Sequence, residues 1–251
     1  MWHIVGNGQG KLALNEHDKV IRFNQPLTCH VKTQLTITNS KLSGVEQNFL
    51  ICGKTPGTDF SKKLEFNSLE LERQLGNKPS LGFLTIMTML EYGEPIRVSR
   101  MDLLPSLIRP SDYPHRKALP AAYHNWLGER RFAFSRLEQL DWPEFWLKVD
   151  SGGKSEFFPS FSELLELPTR SRKEGRHLWH EFSNISNQKW LKQADYEKLK
   201  SIEPLFYLSR NEKNTSNWWM YDNQLSISVS RLQRILALVQ QRIYQNKKEK
   251  A

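Results

Sequence analysis

Short apolar and β-branched runs separated by polar loops fill the first hundred residues: WHIV at 2–5, KVIRF at 19–23, QLTIT at 34–38, NFLIC at 48–52 and PIRVS at 95–99. Runs of this length and composition predict the strands of a sheet covered on both faces. Between the fourth and fifth lie LELERQL and then SLGFLTIMTMLEYG, whose apolar residues at 83, 84, 86, 87, 89 and 90 are too dense for a surface helix. The second stretch predicts a helix packed against the sheet, ending at Gly93 with Pro95 just beyond. The pattern is that of an α/β fold with a Rossmann-like, mostly parallel sheet flanked by helices.

From about residue 121 the pattern becomes helical, with AAYHNWLGERRFAFSRLEQL followed by Trp-rich, loop-rich sequence. DSGGKS, at 150–155, is the best linker candidate, which divides the chain into a first domain over 1–150 and a helix-rich C-terminal part over 151–251. Near the end, SVSRLQRILALVQQRIYQ places Val229, Leu232, Leu236, Val239 and Ile243 on one face of a C-terminal helix. There is no internal repeat.

At 251 residues the chain is long enough for a substantial core. No run approaches the length of a membrane span, and a core strand beginning at Trp2 leaves no room for a leading signal sequence, so the expectation is a cytoplasmic protein. The two cysteines, Cys29 and Cys52, lie outside any CxxC pattern and read as buried free thiols in a reducing compartment. A net charge of +9 raises a nucleic-acid reading. The basic residues concentrate only in RSRKEGR at 170–176 and QNKKEK at 245–250, which read as a solvated face and tail. No specific nucleic acid is therefore expected, while peripheral contact with an anionic membrane surface, at the inner membrane, stays open.

The most informative stretch is VGNGQG after the first strand. Gly6, Gly8 and Gly10 let backbone N–H groups approach an anion, or else make a structural tight turn. A dinucleotide fingerprint requires a glycine where Lys11 stands and an acid at the end of the second strand, where the chain has Asn24. Both departures count against a nicotinamide cofactor, and an amide at position 24 both donates and accepts towards a neutral sugar or base.

Together, IVGNGQG and HDKVIRFNQ resemble the large sialylmotif of sialyltransferases, with matches at Val5, Gly6, Asn7, Gly8, Asp18, Val20, Arg22, Asn24 and Gln25. NKPSLGFLTIMTMLEYGEPIRVSRMDL, at 77–103, resembles the small sialylmotif, departing from it at Leu81 and Arg100. AYHNWLGERRF, at 122–132, resembles the very small sialylmotif, a histidine and then a glutamate. The three follow in the family's order over about half the chain. By this resemblance Asn7 and Asn24 line the pocket of a CMP-activated sugar, with the amides of Gly8 and Gln9 on its phosphate or ribose. Ser80 and Gly82 open an apolar helix whose N-terminus favours an anion; Ser80 equally reads as a plain N-cap.

The same resemblance makes His124 the general base, since imidazole titrates near neutrality. Five helical residues turn Glu129 about 500° away from His124, so Glu129 holds the segment in place if His124 precedes the helix. Tyr113 and Tyr123 are candidates to assist CMP departure. The implied reaction is an inverting transfer of sialic acid, or a related ulosonic acid, to a glycan or lipid-linked glycan hydroxyl. It needs no metal, and the CMP-sugar is a substrate rather than a cofactor. Trp179, Trp190, Trp218 and Trp219 read as core or as an acceptor-binding surface. A non-catalytic relative that keeps the nucleotide pocket and a basic nucleic-acid-binding protein are the alternatives.

Overall fold

A computed structural model describes residues 1–8, 12, 14–24, 33–39, 48–105, 123–148, 153, 155–208, 217–222 and 224–249. Gln9, Tyr113 and Cys29 lie outside the described residues. The chain forms two compact units. The first comprises Met1–Asp102 with Ser135–Phe145, and the second takes Trp146–Ala251 together with the helix at Trp126–Phe134. These lines differ from a break at residue 150. Ser155, inside the supposed linker, donates its N–H to Asn184 O at 3.0 Å and so belongs to the packed second unit.

The first unit is a six-stranded sheet in the order β4-β3-β2-β1-β5-β6, made of β1 (Trp2–Val5), β2 (Lys19–Phe23), β3 (Leu35–Asn39), β4 (Phe49–Gly53), β5 (Ile96–Ser99) and β6 (Leu140–Asp141). All neighbours pair parallel except β3 and β4. The fold is α/β and Rossmann-like, with the change of strand order falling between β1 and β5. β1 sits centrally and is buried along its whole length. β4 is an antiparallel edge whose Cys52 is exposed, which corrects the expectation of a buried thiol there.

Alternation and register put Trp2, Ile4, Ile21, Phe23, Leu35, Ile37, Ile96 and Val98 on one face of the sheet. His3, Val20, Arg22, Arg97 and Ser99 share the other. α1 (Phe60–Leu75) and α2 (Leu81–Leu90) pack on each other, and Gly82 of α2 faces the ring of Phe23. The two threonines of α2 are buried without penalty, since Thr85 and Thr88 donate their hydroxyls to Leu81 O (2.8 Å) and Leu84 O (3.0 Å). The chain then turns through Gly93 at φ 67°, as the helix-stop signal predicts.

In the second unit α8 (Ser226–Lys248) is packed by α3 (Trp126–Phe134), α5 (Arg172–Ser183), α6 (Asn187–Gln193) and α7 (Tyr196–Ser201), with α4 (Phe161–Glu166) ahead of them in the chain. The predicted stripe is buried at Val229, Leu232, Leu236 and Val239, but Ala237, Leu238, Gln233, Gln240 and Gln241 are buried too. Two of the three buried glutamines bond to backbone groups. Gln241 accepts from Leu147 N (2.9 Å) and donates to Leu147 O (3.1 Å), and Gln240 donates to Leu127 O (3.1 Å). Trp179, Trp190 and Trp219 are fully buried in this core, so the core reading of these three holds over the acceptor-surface one. The basic RSRKEGR stretch opens α5 on an exposed face, with a Ser171–Glu174 capping box.

Candidate functional site

Open α/β sheets bind ligands outside the carboxyl ends of the strands, where the strand order reverses. In the first unit that edge is formed by the ends of β1, β2 and β5. Gly6 donates to Ser99 O (2.9 Å) and Gly8 to Arg100 O (3.0 Å), so the glycine turn continues the β1–β5 ladder past the strands. A Cβ at Gly6 would stand 2.4 Å from Arg100 O, and one at Gly8 2.6 Å from it. Close approach of two backbones is therefore what requires glycine here. The Gly8 amide, expected on a phosphate, is engaged with Arg100 O instead.

Arg100 occupies φ 55°, a region where glycine is at ease and most residues are strained. Its side chain turns back so that Nε donates to Gly8 O at 2.8 Å, which closes a reciprocal pair across the edge. Arg100 thus holds a backbone conformation at which glycine is at ease, while its side chain straps the glycine turn.

Asn7 and Asn24 lie at the ends of the adjacent strands β1 and β2. Asn7 donates Nδ2–H to Phe23 O (3.1 Å), while its Oδ1 is buried and has no partner among the described residues. Asn24, at φ 49°, takes the left-handed conformation that asparagine tolerates, and its Oδ1 accepts from Asn39 N (3.0 Å). Ser80 caps α2, its Oγ accepting from Phe83 N (3.2 Å), as the plain capping reading predicts. Gly82 packs beside Phe23 and the thioether of Met101, whose carbonyl accepts from Trp142 Nε1 (2.7 Å). These contacts bring Asn7, Gly8, Asn24, Ser80 and Gly82 to one edge of the first unit.

Behind that edge runs a buried chain that the sequence did not single out. His3 Nδ1 is 3.3 Å from Asp18 Oδ2, and His3 Nε2 is 2.8 Å from Ser99 Oγ. With Nδ1–H donated to Asp18, Nε2 accepts the Ser99 hydroxyl. Burial pushes the His3 pKa down against the pull of Asp18. Asp18 is lowered as well: burial acts to raise it, but the Asn15 amide and His3 outweigh that. The connectivity is that of a nucleophile relay. Yet Ser99 is only 7% exposed and the flanking amides of Gly6 and Gly8 are spent within the ladder, so the chain serves to lock β1, β5 and the turn before β2.

His124, Tyr123 and Glu129 belong to the second unit. Helix α3 starts at Trp126, so His124 precedes it, and Glu129 is fully buried within it. The imidazole of His124 is half-buried and edge-on to Trp126, with centroids 5.0 Å apart, and Tyr123 is exposed. Among the described residues no cluster of three His, Cys, Asp or Glu is placed to hold a metal ion, and no helix is long and apolar enough to cross a membrane. No family model, curated protein or solved structure matches the chain.

Proposed function

We propose that the chain is a glycosyltransferase of the sialyltransferase type. It moves a sialic or related ulosonic acid from a CMP-activated donor to a glycan hydroxyl with inversion at the anomeric carbon. The observation that carries this reading is the convergence of Asn7, Asn24, Ser80 and Gly82, drawn from two separate sialylmotif-like stretches, on one edge beside the β1–β5 switch point. In this reading His124 takes the proton of the acceptor hydroxyl as its oxygen attacks, and CMP departs with the electron pair of the broken glycosidic bond. Tyr113 and Tyr123 are the side chains assigned to CMP departure. The buried Oδ1 of Asn7, without a partner among the described residues, is an acceptor for a donor-sugar or base N–H or O–H. A lipid-linked acceptor on an anionic surface accords with the exposed Lys247 and Lys248 at the end of α8.

Arg100 favours a second reading, a non-catalytic relative, because its strap engages the glycine turn that would otherwise face the donor phosphate. Two measurements separate them. Thermal shift against CMP, CDP, UDP, NAD and ATP is expected to show selective stabilisation by CMP, and equal shifts by all five would sink both readings. Transfer from a CMP-sugar is expected in the native protein and lost in His124→Ala with CMP binding retained. Absence of transfer in both proteins leaves the non-catalytic reading standing.

A further inference from the structure

We infer that Glu203 is a positioning residue for His124, through a closed loop of buried and partly buried hydrogen bonds; this rests on the reading of His124 as the base. Asn125, the residue after His124, is held at both ends of its amide. Its Oδ1 accepts from Gly128 N (2.9 Å) at the start of α3, and its Nδ2 donates to Glu203 Oε2 (2.9 Å). Glu203 is held in turn by Arg131 on α3, which donates from Nε to Oε1 (2.7 Å) and from Nη2 to Oε2 (3.0 Å). The loop runs from Asn125 through α3 to Arg131, across to Glu203 and back.

The acid and the amide are shielded from water, and Arg131 is partly buried beside them. Asn125 is 2% exposed and Glu203 4%. Gly128 makes room for the junction, because a Cβ there would lie 2.4 Å from Asn125 Nδ2 and 2.9 Å from Glu203 Oε2. A capping asparagine alone needs only its oxygen. Fixing the nitrogen as well, to an acid that comes from 78 positions further along the chain, removes the rotation of the residue that carries the His124 backbone into the helix. Because the guanidinium neutralises the carboxylate in a two-pronged pair, Glu203 acts on His124 through geometry rather than through charge.

The test compares Glu203→Ala and Glu203→Gln with the native protein. Gln keeps an acceptor for Asn125, Ala does not. Glu203→Ala is expected to lower kcat about a hundredfold, as for a displaced catalytic group, with the KM for the CMP-sugar and the acidic limb of the pH–rate profile unchanged. Glu203→Gln is expected to recover most of that loss. A folded Glu203→Ala protein with native kcat, or one whose donor KM rises in step with the fall in kcat, overturns the assignment. The ring-proton NMR signals of His124 give a second readout that needs no turnover. They are expected to be dispersed in the native protein and in Glu203→Gln, and to move to the position of an unstructured histidine in Glu203→Ala. Unmoved signals overturn the clamp, whereas a moved signal in a protein without transfer refutes only the enzymatic reading.

Discussion

Gly8 and His3 show how single residues carry the site edge. Gly8 is spaced for contact with a backbone, since the atom nearest to an added Cβ is a carbonyl oxygen that cannot swing away. Gly8→Ala is expected to cost about 1–3 kcal/mol by overpacking, read as a lower urea midpoint at unchanged slope, and an unchanged midpoint would show that the turn relaxes freely. His3 sets a pH dependence. Its folded pKa lies below its ordinary value of 6.5, so as the pH falls the unfolded chain takes up the proton first. The stability it contributes is therefore full above about pH 6.5 and is lost as the pH drops from there through its folded pKa. Asp18 adds the same sign lower down, its share being lost only below the ordinary carboxylate value of 3.8. Denaturation midpoints of the native protein should fall between pH 7 and pH 5, and His3→Gln should flatten that fall; a slope unaffected by the substitution would remove His3 as its source.

At the scale of elements, boundaries that follow from local chemistry match the pattern closely. β1 and β2 coincide with WHIV and KVIRF, and α2 begins after the Ser80 cap. The edge position of β4 was not readable, because NFLIC looks like an interior strand. Its place at the end of the strand order and its antiparallel pairing decide the exposure of Cys52. In a Cys29→Ser protein, a thiol reagent is expected to label Cys52 fully under native conditions, at a rate close to that in denaturant. Labelling only after unfolding would contradict an open edge at β4. Helix α8 makes the complementary point. A stripe of every third or fourth residue predicted one buried face, whereas neighbouring helices bury its glutamines as well, and Gln241 at both ends of its amide and Gln240 through its nitrogen reach backbone groups of Leu147 and Leu127 that no periodicity reveals. Leu236, wholly buried there, should cost about 2–5 kcal/mol on truncation to alanine, measured by urea denaturation.

For the molecule as a whole, the proposed donor edge lies in the first unit. Addition of CMP is therefore expected to slow amide exchange first around residues 5–8, 23–24 and 80–83. Protection confined to α5 and α8 would move the nucleotide site elsewhere. The sequence by itself determined the α/β class, most strand positions and the helix-stop at Gly93, because periodicity and turn chemistry are local properties. Only the tertiary structure decided that the Gly8 amide is spent on Arg100, that Asp18, His3 and Ser99 form one buried chain, and that Glu203 reaches back to Asn125. Those pairs are separated by 15 to 96 positions along the chain, and no local signal records which distant polar groups must meet once both are taken out of water.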